Sequence, residues 1–239
     1  MSIDNRTVAI IGGSSGIGLE VARQVIAQGG RVFIGARDVQ RLERAVQVLG
    51  PAASGYRVDS ADEASVQAFF EAAPALDHLF TPGASYQLGK FVELDEAQAR
   101  TPLDMKFWGQ YRAIRHALPK LREGGSVVLM AGALGARVGM VGAAYAACNA
   151  AIETLGRSLA VELAPLRFNT VSPGTIDSDL WRQRPAEQRR AAFDSYAQSA
   201  ALGRVGTVGE VANAVLFLMG NGFMSGSTLY VDGGFVVKA

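Results

Sequence analysis

Cysteine and histidine are nearly absent, with one cysteine, Cys148, and two histidines, His78 and His116, in 239 residues. One cysteine excludes an intrachain disulfide and any cysteine-based metal site. Cys148 reads as a small buried hydrophobe rather than a nucleophile. Two histidines this far apart give no spacing for a transition metal, and both read as packing or surface residues. Neither sign of charge is in excess. Lys and Arg number 23 against 22 Asp and Glu, a formal net charge of +1. That balance leaves no electrostatic footprint for nucleic acid or for an acidic membrane. No apolar run reaches the roughly 18 residues of a membrane span. No Pro/Gly/Ser linker, charge run or internal repeat divides the chain. These absences predict a cytoplasmic protein with one domain over residues 1–239, long enough to bury a substantial core.

What is present is concentrated near the start. Val8 to Ile11 is an unbroken apolar run, as expected of a parallel strand covered on both faces. A helical pattern follows, in which Ile17, Val21 and Val25 recur every four residues and Ala22 and Ile26 widen the stripe. Gly29-Gly30 closes that helix as a C-terminal cap. Between strand and helix lie Gly12, Ser14, Ser15, Gly16, Ile17 and Gly18. Glycines there permit a tight turn and let a ligand approach the backbone, while the helix N-terminus offers free N–H groups to a pyrophosphate. The turn is therefore a candidate dinucleotide site. The next strand, Arg31 to Ala36, ends without the acid that would hold a ribose 2′-hydroxyl. Arg37 follows instead, with Ser14 and Ser15 as further donors, which favours a 2′-phosphate and so NADP(H).

Strand and helix patterns alternate along the rest of the chain. Helices are predicted near 39–49, 63–72, 95–121, 143–164 and 208–219. Strands are predicted near 55–58, 77–81, 126–130, 168–172 and 228–231. A polar, arginine-rich segment runs from Asp177 to about Ala200. Such alternation implies an α/β fold, a doubly wound parallel sheet with helices on both faces and right-handed crossovers.

Over its whole length the sequence resembles the short-chain dehydrogenase/reductase family. The resemblance rests on GGSSGIG (Gly12–Gly18), Asp59 after the third strand, Tyr145 in the family's tyrosine position, ELAPLRFNTVSPG (Glu162–Gly174), LGRVGTVGEVA (Leu202–Ala212) and VDGG (Val231–Gly234). It implies a Rossmann sheet of seven strands, a nicotinamide cofactor and frequent tetramers. It further implies that Asp59 contacts the adenine, that Pro173, Gly174 and Ile176 lie along the nicotinamide, and that Ser178 sits near the phosphates. The family reaction moves a hydride between nicotinamide and a carbonyl or alcohol carbon. In it a tyrosine exchanges the proton, a serine thirteen residues earlier orients the substrate oxygen, and a lysine four residues later lowers the tyrosine pKa. An asparagine on the preceding helix supports a water beside that lysine.

This chain departs from the pattern at every one of those positions but the tyrosine. Gly132 stands at the serine position, Asn149 at the lysine position and Lys106 at the asparagine position. The run after the fourth strand is Thr81-Pro-Gly-Ala84, and Ile11 opens the glycine motif where the family has threonine. A free tyrosine has a pKa near 10 and needs help to act at neutral pH. An amide one turn along the helix carries no charge to help it, and a lost donor to the substrate oxygen can cost roughly 3 kcal/mol in the transition state. Lys and Asn are, however, exchanged in an orderly way. From the opposite side, Lys106 would restore the positive charge beside Tyr145, leaving Asn149 for the ribose hydroxyls. The competing account makes Lys106 a surface lysine in a chain that has lost redox chemistry, and Tyr145 a core aromatic.

Between Thr175 and Gly206 the resemblance places a substrate lid, at about 175–206. It carries Trp181, Arg182, Arg184, Arg189, Arg190 and Tyr196, whose arginines read as a solvated face rather than an anion site. Met130, Leu134, Met140, Val141 and Trp181 suggest an apolar pocket for a small-molecule carbonyl or alcohol. The helix Ala143–Leu163, small and apolar around its circumference, predicts burial on more than one side, and with the resemblance a homo-oligomer, a tetramer. Two readings follow: an NADP(H)-dependent oxidoreductase using Tyr145, Lys106 and Asn149, or an NADP(H)-binding protein without dehydrogenase turnover. The second covers a sensor, a scaffold or a non-redox lyase or isomerase.

Overall fold

A computed structural model describes residues 3–83, 85–138 and 142–238. In chain order the elements are β1 (Thr7–Ile11), α1 (Gly16–Ala27), β2 (Arg31–Ala36), α2 (Val39–Leu49), β3 (Ala53–Arg57), α3 (Glu63–Ala72) and β4 (Leu76–Thr81). Then come α4 (Glu96–Pro102), a π-helical turn at Leu103–Phe107, α5 (Trp108–Ala117), β5 (Leu121–Met130), α6 (Ala143–Glu162) and β6 (Arg167–Pro173). The chain finishes with β7 (Ile176–Asp177), α7 (Asp179–Arg182), α8 (Ala186–Ser199), β8 (Gly206–Thr207), α9 (Val208–Gly220) and β9 (Thr228–Val231).

Seven strands form one parallel sheet in the order β3-β2-β1-β4-β5-β6-β9. The two-residue side-chain period of a strand sorts its apolar residues onto two faces. Val8 and Ile10 of β1, Ile34 of β2 and Val128 of β5 pack with α1, α2 and α9. Ala9 and Ile11, Phe33, Val127 and Leu129 face the other way, onto α3, α5 and α6. The chain is thus wound on both sides of the sheet, as the unbroken apolar strands require. Strand order reverses between β1 and β4, and the crevice above that reversal is where such sheets receive ligands. Here the two loops bounding it touch: a Cβ on Gly12, whose φ is +99°, would lie 2.6 Å from Cα of Gly83.

At the opposite end of the sheet, buried Asp77 accepts from Arg6 Nη1 (2.8 Å), Arg122 Nη1 (2.9 Å) and the Thr7 N–H (2.8 Å). Burial alone would raise the pKa of this carboxyl, but the hydrogen bond from Thr7 and the two guanidinium groups together hold it below its ordinary value.

The expected α1 cap is present, with Gly29 at φ +83° and its N–H on Ile26 O. The single helix expected over 95–121 is not. Pro102 has no N–H to donate, and the chain passes through the π turn at Leu103–Phe107 before α5 begins. β5 starts at Leu121, five residues before the expected strand, because Leu121 already pairs with Leu76. The arginine-rich segment is α7 and α8, enclosed at both ends by the parallel pairing of β7 with β8.

Candidate active site

The π turn carries Lys106 and α6 carries Tyr145 and Asn149, one helical turn apart. A π turn is wider than an α turn, and here it presents Lys106 inward, 2% exposed. Its Nζ donates to Ala131 O at the end of β5 (2.8 Å), to Asn149 Oδ1 (2.6 Å) and to Tyr145 Oη (3.3 Å). An ammonium has three protons and no lone pair, and three acceptors surround it. Burial works against the charge and lowers the Lys106 pKa from its ordinary 10.5, while Tyr86, Cys148 and Glu153 pull it upward. Tyr145 is also buried by its surroundings, which raises its pKa. The exchange of Lys and Asn therefore preserves contact between the two positions and puts the cation beside the phenol. A surface lysine is ruled out at 106.

Asn149 is wholly buried, and its Nδ2 has no hydrogen-bond partner among the described residues. The bond from Lys106 fixes the amide orientation, since Nζ can only donate and must face Oδ1. Gly132 lies against this amide: a Cβ there would be 3.2 Å from Asn149 Nδ2. Below the site, Gln110 of α5 joins β4 to β5. It accepts from Thr81 Oγ1 (2.9 Å) and the Met130 N–H (2.9 Å), and donates to Met130 O (3.1 Å). Cys148 is buried with its thiol on Pro102 O (3.1 Å) and its pKa raised by burial, so it packs rather than reacts.

Sequence reasoning missed two residues here. Tyr86, in the loop after β4, stacks on Tyr145 with ring centroids 4.3 Å apart. A residue in an irregular loop has no periodicity to announce it. Asp179, first residue of α7, accepts from the Gly16 N–H at 2.9 Å, so a carboxylate sits on the glycine turn. Ser15 caps α1 without a side-chain bond.

The remaining expected residues line the same edge of the sheet. Arg37 Nη2 donates to Ser85 Oγ (2.5 Å), linking the end of β2 to the Tyr86 loop. Asp59 Oδ1 accepts from the Ala61 N–H (3.0 Å) in the turn before α3. Pro173 ends β6, Gly174 packs against the Tyr196 hydroxyl, Ile176 opens β7, and Ser178 caps α7 beside Gly16. Of the five residues expected to line an apolar pocket, three are described. Met130 packs on the α1–α9 side of the core, Leu134 joins Ala133, Ala200 and Phe235, and Trp181 packs edge-on to Phe193. Met140 and Val141 lie outside the described residues. Of the lid arginines, Arg184 stacks over Trp181 and Arg182 bridges Asp177 and Asp179. Neither forms a cluster for an anion. His78 is a buried packing residue bonded to Ser126 Oγ (2.8 Å), and His116 pairs at the surface with Glu63.

A family model described as enoyl-(acyl carrier protein) reductase matches residues 11–236. The chain belongs to the short-chain dehydrogenase/reductase family. An uncharacterized short-chain type dehydrogenase/reductase of Sinorhizobium fredii is 33% identical over 98% of this chain, which spans 44% of that relative's length. Galactitol 2-dehydrogenase (L-tagatose-forming) of Cereibacter sphaeroides is 30% identical, with 98% of this chain and 96% of the relative covered. A small-chain dehydrogenase solved in complex with NADPH is 33% identical, with TM-score 0.85 and 98% and 100% coverage. A Pseudomonas aeruginosa short-chain oxidoreductase containing an atypical catalytic center is 27% identical, with TM-score 0.91 over 100% of both chains.

Proposed function

We propose that this protein is an NADP(H)-dependent oxidoreductase of the carbonyl reductase or alcohol dehydrogenase type, in which Tyr145 exchanges the proton and Lys106 supplies the positive charge. The observation that carries this reading is the buried Lys106 side chain, whose Nζ is held between Asn149 and the Tyr145 phenol. Burying a lysine costs several kcal/mol unless its charge is used or paired, and among the described residues the oxygens that Lys106 bonds are all neutral. A site that keeps such a charge next to a phenol favours the phenolate that remains once the phenol proton has gone to a carbonyl oxygen.

The residues present fit a dinucleotide. The Gly12–Gly18 turn is a cradle that Cβ atoms would fill, and the Gly16 amide already takes an anion from Asp179. Gly12, Ser14, Ser15, Gly16, Ile17 and Gly18 would hold the phosphates with Ser178. Arg37 would hold the 2′-phosphate and Asp59 the adenine, with Pro173, Gly174 and Ile176 along the nicotinamide. When bound, the nicotinamide supplies or accepts the hydride. Tyr145 gives or takes the proton at the substrate oxygen, Lys106 stabilises the phenolate, and Asn149 holds Lys106 and faces the ribose hydroxyls. The segment 175–206 serves as lid over a small-molecule carbonyl or alcohol, and the single domain assembles as a cytoplasmic homotetramer.

The second reading, a nucleotide-binding protein without dehydrogenase turnover, draws on Gly132, which leaves the site one hydroxyl short. Fluorescence titration with NADPH and NADH, followed by NADPH oxidation over a panel of ketones, aldehydes and quinones, separates the two. The proposal expects tighter NADPH binding and turnover. Binding with no turnover on any substrate favours the second reading, and binding of neither nucleotide refutes both.

A further inference from the structure

We propose that Tyr86 is a second working phenol of this site: stacked on Tyr145, it donates its hydroxyl to Tyr145 Oη and holds that oxygen ready to receive a proton. The inference rests on the oxidoreductase reading and adds a residue to it. The two rings lie 4.3 Å apart at 27°, close to parallel. Lys106 Nζ is 4.8 Å from the Tyr145 centroid and 6.0 Å from that of Tyr86, so one cation serves both rings. Tyr86 is not placed by its ring alone, because its loop is fastened on three sides. Ser85 accepts from Arg37, the Gln87 N–H donates to Thr101 Oγ1 (2.9 Å), and Gly89 O accepts from the Gly142 N–H (3.1 Å). Gly142 immediately precedes the helix that carries Tyr145.

The two phenols are not equivalent. Burial raises both. A hydrogen bond between the two hydroxyls lowers Tyr145 and raises Tyr86, as fits a Tyr86 donor and a Tyr145 acceptor. Around the pair stand Lys106 and Arg184, whose charges favour a Tyr86 phenolate, while Cys148 acts against a Tyr145 phenolate. Glu153, further along α6, acts on Lys106. In alcohol oxidation the substrate hydroxyl proton passes to the Tyr145 phenolate as the carbon loses hydride to the nicotinamide. Alcohol and NADP+ thus give carbonyl, NADPH and a proton, and Tyr86 keeps its own proton throughout.

The test is Tyr86→Phe, which keeps the stack and removes the hydroxyl. Two measurements are made on the whole protein. In the first, protein labelled with 13C at tyrosine Cζ is titrated by NMR without cofactor, the Tyr145 signal being assigned by its loss in Tyr145→Phe. The proposal expects its titration to move up by about one pH unit in Tyr86→Phe. In the second, the pH profile of secondary-alcohol oxidation with NADP+ is expected to move the same way, with the substrate KM changed less than twofold. A Tyr145 titration that does not move overturns the proposal, as does a Tyr145 signal that stays protonated in both proteins until they unfold. If no alcohol or carbonyl is turned over, the oxidoreductase reading fails, and the NMR titration alone still decides whether Tyr86 acts on Tyr145.

Discussion

In the proposed mechanism, Lys106 is the residue on which the chemistry turns. Its pKa is lowered by burial, so its positive charge is lost as pH rises through a value below the ordinary 10.5. As proposed, carbonyl reduction needs both that charge and a protonated Tyr145, and burial moves Tyr145 in the opposite direction. The alkaline limb of a reduction profile is therefore expected below pH 10.5, set by Lys106 before Tyr145 titrates, and steady-state rates from pH 6 to 10.5 check it. The exchange can also be reversed. Lys106→Asn alone is expected to lower turnover about a hundredfold, the scale of one lost charge-stabilising group. Adding Asn149→Lys should recover at least tenfold of that, measured as kcat, because the cation returns to the same contact. A double variant no faster than the single one shows that the two positions do not act as a pair. The exchange itself was legible in the sequence because Asn149 falls four residues after Tyr145 and Lys106 three residues before Gly109. Tyr86 was not, since nothing in a loop sequence says which aromatic folds back onto a helix.

At the scale of elements, β4 and the glycine turn carry the two clearest expectations. His78 lies buried in β4, where desolvation first, helped by Arg167 and Arg6, lowers its pKa from 6.5 to about 4 despite Asp77. A depressed histidine pKa means that the unfolded chain binds the proton first as pH falls. Stability is then complete above pH 6.5 and drains away toward pH 4, by up to about 3 kcal/mol. Urea unfolding at pH 7 and pH 5 should show the loss, and His78→Asn should flatten it. The second expectation concerns α7, whose Asp179 occupies the Gly16 N–H that a cofactor phosphate would take. Asp179→Asn removes a like charge from the phosphate site and is expected to tighten NADPH several-fold, read by fluorescence titration. Unchanged or weaker binding would mean that Asp179 does not compete there. The β-strands were legible because their apolar runs are short and bounded. The break in the helix at 95–121 was not, since apolar periodicity continues through Pro102 and a π turn leaves no mark beyond that proline.

At the scale of the molecule, several large apolar side chains stay open to solvent. Trp108 and Tyr111 of α5 and Val161 of α6 are 43, 37 and 82% exposed, and Phe223 before β9 is fully exposed. Exposed aromatic and aliphatic side chains on α5 and α6 fit helices that a second copy covers. Light scattering is expected to give a tetramer, and Trp108→Glu a smaller species, while a monomer would contradict the assembly. The fold was readable as a whole because every strand–turn–helix unit repeats the same alternation. What the sequence left open is how many of its altered positions converge, which depends on contacts between β4, the π turn and α6, far apart in the chain. The central claim is that this convergence is a working redox site. Its most direct test compares NADPH oxidation by the protein and by Lys106→Met across the carbonyl panel, with NADPH affinity measured in parallel. Turnover that falls at least a hundredfold in Lys106→Met, while NADPH still binds, is the result expected. Turnover that survives the loss of Lys106 contradicts it.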